Sequence, residues 1–154
     1  MGHHISVVLL RGPFDEQRAR SFDLKPIRLT PDIVLFPLEA GFCDHWAGRL
    51  GISGFVSDRP LLNCRVVHHL MREVAPELFF AVIETDYFGG QGGQAAAVYR
   101  GDREVMAPAV GAVGPINEAL RHLSIRASAG NDEFDTVGLG RFRDFDDLFD
   151  SYRE

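Results

Sequence analysis

The stretch Leu78–Phe88 (LFFAVIETDYF) constrains this chain more than any other. Its β-branched and aromatic residues suit a pleated, packed surface, so it predicts a central strand. Neighbours for such a strand are visible elsewhere. Ile5–Leu10 (ISVVLL) is a short apolar run that stops at Arg11-Gly12-Pro13 and reads as a buried strand. Ile27–Leu29 and Ile33–Leu38 flank Thr30-Pro31-Asp32, which has turn composition, so they predict a hairpin. Pro37 has no N–H for a ladder bond and predicts an edge position for its strand. Ala95–Arg100 and Arg103–Met106 flank Gly101-Asp102, a two-residue turn that favours a tight hairpin.

Helical signals lie between these runs. Pro13, with Asp15 and Glu16 in a first turn, predicts a short helix from Phe14 to Phe22. Phe42, Trp46 and Leu50 recur at every fourth position before a glycine stop at Gly51. Asp58 and Pro60 open a helix whose apolar stripe is Val67, Leu70, Met71 and Val74, and Pro76 ends it. Gly114-Pro115 opens another, with Ile116, Ala119, Leu120 and Leu123 on one side. A last helix starts near Asp144, its stripe being Phe145, Leu148, Phe149 and Tyr152. The strands neither alternate strictly with helices nor gather in one block. The expected fold is α+β: a single domain over residues 1–154, with an antiparallel or mixed sheet and helices packed mainly on one face.

A length of 154 residues, 45% apolar and 25% charged, fits one globular core. No apolar run is long enough to span a bilayer and no basic-then-apolar leader opens the chain, so no membrane role is expected. Cys43 and Cys64 are 21 residues apart and form no disulfide framework, which fits a reducing, cytoplasmic setting. The net charge of −6 argues against nucleic acid as a partner. Charge is unevenly spread. Residues 130–154 hold eight acids and three arginines, or −5, leaving −1 for everything before them.

The densest glycine run is Glu84-Thr85-Asp86-Tyr87-Phe88-Gly89-Gly90-Gln91-Gly92-Gly93-Gln94. Residues 90–95 match the dinucleotide pattern GxGxxA, but that fingerprint needs a helix to begin there, and Ala95–Tyr99 reads as a strand. No Lys-Ser/Thr follows, so it is not a phosphate-binding Walker loop either. What remains is an exposed Gly89–Gly93 loop, either a hairpin connection with a bulge or a functional loop on a sheet rim. Glu84 and Asp86 alternate onto one face of the preceding strand. Together with Tyr87, Gly89, Gly90, Gly92 and Gln94 they form a candidate ligand-binding or acid–base site. The plainer reading leaves both carboxylates solvated at the strand's polar end.

Other reactive residues carry less. Cys43, Asp44 and His45 open a helix, but neighbours on a helix point apart, so Cys43 reads as a core residue, as does Cys64. His68-His69 lacks the spacing of a helical metal pair. His3-His4 is either native or a cloning remnant and is set aside. No metal or cofactor is expected. In the C-terminal segment, Asp144 suits a helix cap, while Asp132, Glu133 and Asp135 have no such local role, and Arg141 follows them across two glycines.

Three stretches, Tyr87-Phe88-Gly89-Gly90-x-Gly92-x-Gln94, Gly114-Pro115-Ile116-Asn117-x-Ala119-Leu120 and Asp132-Glu133-Phe134-Asp135-x-x-Gly138-Leu139-Gly140-Arg141, resemble those of a group of small, uncharacterised bacterial single-domain proteins. That group is similar in size and acidity to immunity-type proteins. The resemblance implies a bacterial cytoplasmic protein and no catalytic residue. The expected function is therefore a non-enzymatic protein-binding module, immunity-like, inhibiting a basic protein partner through Asp132, Glu133, Asp135 and Arg141. The alternative is a small enzyme or ligand-binding protein built on the glycine loop with Glu84, Asp86 and Tyr87.

Overall fold

A computed structural model describes residues 3–52, 65–88, 91–101 and 103–153. Its centre is a six-stranded, wholly antiparallel sheet of β1 (Ser6–Arg11), β2 (Ile27–Thr30), β3 (Ile33–Pro37), β4 (Phe79–Phe88), β5 (Gln91–Arg100) and β6 (Arg103–Gly111), ordered β2-β3-β1-β4-β5-β6. The helices are α1 (Glu16–Ser21), α2 (Ala40–Leu50), α3 (Arg65–Val74), α4 (Pro115–His122), α5 (Glu133–Thr136) and α6 (Phe145–Arg153), with a 3-10 turn at Leu139–Arg141. The chain is thus α+β, with β4 central as its composition predicts.

Side chains alternate across the sheet, and both faces are buried. On β1, Val8 and Leu10 join one core cluster while Val7 and Leu9 join the other. The same split separates Phe80 and Val82 from Ala81 and Ile83 on β4, and Ala95, Ala97 and Tyr99 from Ala96 and Val98 on β5. Residues of α1, α2 and α3 cover the first face; α4, the 3-10 turn and α6 cover the second. The expected gathering of helices mainly on one face is therefore corrected. A sheet buried on both sides reads as continuous apolar runs, which is how ISVVLL and FFAVI read.

Local signals explain most element boundaries. Gly51 ends α2 in the left-handed region at φ 67°, where glycine has no Cβ to clash. The stripe Val67, Leu70, Met71 and Val74 of α3 is buried; the expected start of this helix at Asp58-Pro60 lies outside the described residues. The stripe Ile116, Ala119 and Leu120 of α4 is also buried, each large apolar side chain contributing roughly 1.5–3 kcal/mol. Asp15, expected inside the first turn of α1, is instead its cap and accepts from the Arg18 N–H at 2.9 Å. Asp144 caps α6, accepting from the Asp147 N–H at 2.9 Å.

Pro37 does not mark an edge. β3 lies between β1 and β2, and Pro37 is its last residue, opposite Val7. The β2–β3 register ends at Ile27 opposite Leu35, so the missing proline donor falls beyond the paired part of β2. The Gly101 turn joins β5 to β6 with φ 61°, although Asp102 lies outside the described residues.

Candidate functional site

The expected glycine loop is mostly strand. β4 and β5 stay in unbroken register from Phe79 opposite Arg100 to Phe88 opposite Gln91, with no bulge. Gln91, Gly92 and Gly93 belong to β5, while Gly89 and Gly90 lie outside the described residues. Gly92 has φ 129°, and a Cβ placed there would sit 1.9 Å from the Asp86 carbonyl oxygen. Its glycine is thus required by a close backbone approach, and the GxGxxA match runs into a strand rather than a helix.

Alternation also divides the candidate residues. Glu84 and Asp86 follow Phe80 and Val82 onto the α1–α3 side of β4, whereas Tyr87 follows Ala81 and Ile83 onto the α4 side. The three do not form one site. Asp86 is exposed and lies 3.7 Å from His4 Nδ1. Tyr87 donates its hydroxyl hydrogen to the Ala112 carbonyl and accepts from Gln94 Nε2 at 2.9 Å. Gln94 Oε1 in turn accepts from the Ile116 N–H at 2.7 Å. A side chain on β5 therefore caps α4, whose own N-cap, Gly114, has no side chain to do so.

A second network continues from α4 into the acidic segment. Asn117 donates to Asp132 Oδ2 at 3.1 Å and accepts from the Phe134 N–H at 2.9 Å. Asp132 caps α5, accepting from the Asp135 N–H at 2.8 Å. That bond, with the Asn117 amide, holds its carboxyl below the usual range. Glu133 is buried and accepts from Arg121 Nη1 at 3.0 Å. Asp132 and Glu133 are thus structural residues, contrary to the expectation that they lack a local role. Asp135 and Asp146 are exposed and form no ion pair among the described residues. Arg141 is exposed, donating from Nε to the Gly138 carbonyl at 3.2 Å with its guanidinium over the Phe142 ring.

His3 is the residue that sequence reading missed. Its backbone pairs with Tyr87 in both directions at 2.9 Å, adding a bridge beside β4. Its Nδ1 lies 2.7 Å from Thr85 Oγ1 and its Nε2 3.4 Å from the Leu139 carbonyl, and the ring packs on Phe134. The Leu139 carbonyl can only accept, so Nε2 carries a proton. In the neutral ring that leaves Nδ1 to accept the hydrogen of the buried Thr85 hydroxyl, which itself accepts from the Ile5 N–H at 3.0 Å. Burial lowers the His3 pKa accordingly. No spacing rule connects His3 to Thr85, 82 residues away.

Tyr99 is a further buried polar residue on the α3 side. Its hydroxyl has no hydrogen-bond partner among the described residues, and burial, with the charge of Glu104, pushes its pKa up to about 12. Its ring packs against His68 and Phe80, so it serves the core.

Among the described residues, no His/Cys/Asp/Glu group is placed to hold a metal ion, and no helix is long and apolar enough to cross a membrane. Cys43 is buried in the core cluster under α2, while Cys64 lies outside the described residues. No family model matches the sequence, and no match was found among curated proteins or solved structures.

Proposed function

We propose that this chain is a non-enzymatic binding module that recognises a basic protein partner through its acidic C-terminal segment, in the manner of bacterial cytoplasmic immunity-type inhibitors. One observation carries the reading. The segment is docked on the core by Leu139, Phe142 and Leu148, at 0%, 4% and 0% exposure, while Asp135, Asp144, Asp146 and Asp150 face solvent. Carboxylates held on an anchored scaffold lose little ordering entropy on binding and steer a cationic partner during encounter. Asp132 and Glu133, being tied into α4 and α5, contribute by fixing the scaffold.

Reversal of Asp135 and Asp146 to Lys tests this. The double variant is expected to unfold only slightly below the wild-type temperature, since neither side chain is ion-paired among the described residues and each loses only a favourable charge in a first helical turn. It is nonetheless expected to recover less of the basic partner from a lysate of the source organism. Association with the purified partner slows, and its dependence on salt weakens. Equal recovery of the same partner by both forms would reject the reading.

A further inference from the structure

Where α1, α2 and α6 approach the β3 end of the sheet, a cleft of ≈ 190 Å³ is lined by Asp23, Lys25, Pro37, Glu39, Phe42 and Phe149. It is smaller than the ~300–1,000 Å³ typical of drug-sized sites. Lys25 is the only lysine in the sequence, and its ammonium lies 5.6 Å from the centre of the Phe149 ring. Charges of both signs meet in this cleft without neutralising one another: among the described residues, Lys25, Asp23 and Glu39 form no ion pair.

Neither carboxylate is explained by its local backbone. Asp23 follows the end of α1 at φ 59°, where glycine would be unstrained, and it puts a negative charge at the negative end of a helix. Glu39 occupies the N-cap of α2 but makes no side-chain capping bond, a position at which Ser, Thr, Asp or Asn would satisfy an N–H. The Asp23 backbone itself belongs to the turn that ends α1, with the Leu24 N–H bonded to the Ala19 carbonyl, so it is the charge of Asp23 and the side chain of Glu39 that the helix ends leave without a role.

We infer that this cleft binds a small zwitterion of the amino-acid class: its carboxylate on the Lys25 ammonium, its ammonium between Asp23 and Glu39, and an apolar side chain against Phe42 and Phe149. The ligand supplies each unpaired charge with a partner, and the two rings supply the apolar wall. The cleft shares α6 with the acidic surface through Phe149, but none of its charged residues belongs to that surface, so the inference stands independently of the proposed partner.

The test is calorimetric titration of the full chain with L-leucine and L-phenylalanine, each compared with its N-acetyl and its amide derivative. At least one free amino acid is expected to bind saturably, and blocking either charge to weaken it about 10-fold. Lys25→Met is expected to abolish the discrimination against the amide. Asp23→Asn, which suits the left-handed backbone, is expected to weaken binding while leaving Tm unchanged or higher. Absence of saturable binding by both amino acids, or equal binding of the blocked derivatives, overturns the inference. So does unaltered affinity in Lys25→Met and Asp23→Asn proteins that retain wild-type Tm.

Discussion

Gly92 shows how much one residue can be asked to do without any ligand. Its missing Cβ leaves room for the Asp86 carbonyl across the β4–β5 ladder. Gly92→Ala must either move that backbone or strain a φ of 129° that L residues rarely adopt. It is expected to cost about 2 kcal/mol or more, read as a lower urea midpoint, before any effect on binding. His3 makes a different demand. Its folded-state pKa lies below the ordinary value of 6.5, so the unfolded chain takes up a proton that the folded chain refuses. Stability from this group is present above pH 6.5 and is lost as pH falls from there toward the folded-state pKa. His3→Gln is expected to flatten that part of the stability–pH profile in urea unfolding, and an unchanged slope would assign the titration to other groups.

At the level of elements, the starts of α4 and α5 are held by side chains from other elements. Gln94 reaches from β5 to cap α4, and Asn117 on α4 braces the start of α5 beside its own cap, Asp132. Gln94→Leu leaves the Ile116 N–H and the Tyr87 hydroxyl without that partner and is expected to cost about 1–2 kcal/mol. Gln94→Glu keeps an acceptor for Ile116 and is expected to recover part of this loss. Equal destabilisation by both variants in thermal unfolding would mean that the acceptor toward Ile116 contributes nothing.

The whole molecule is three layers, helices on each side of one antiparallel sheet, and β1 runs through its middle. Leu9 and Leu10 point to opposite faces, and both are fully buried. Leu9→Ala and Leu10→Ala are each expected to cost about 2–5 kcal/mol in urea unfolding. A sheet open to solvent on one face would make one of the two nearly silent. The three-layer arrangement also accounts for the charge pattern. With both faces of the sheet covered, Asp135, Asp144, Asp146 and Asp150 are carried on the outer surface of the layer that packs on Leu120 and Ile116.

Whatever depends on near neighbours was legible in the sequence. Hydrophobic period placed β1, β4, the stripes of α3 and α4, and that of α6 apart from Tyr152, which is exposed, and turn chemistry placed the hairpins at Pro31 and Gly101, because both act within a few residues. Tyr87 parts from Glu84 and Asp86 by strand alternation, a local rule; tertiary structure alone decided that both faces of β4 are buried, each under a different helical layer. The positions of His3, Gln94 and Glu133 depend on partners 82, 22 and 12 residues away in the chain, reached only when the sheet and its helices have closed. For the same reason the acidity of the C-terminal segment was legible, but not its division into carboxylates that hold helices and carboxylates that face solvent.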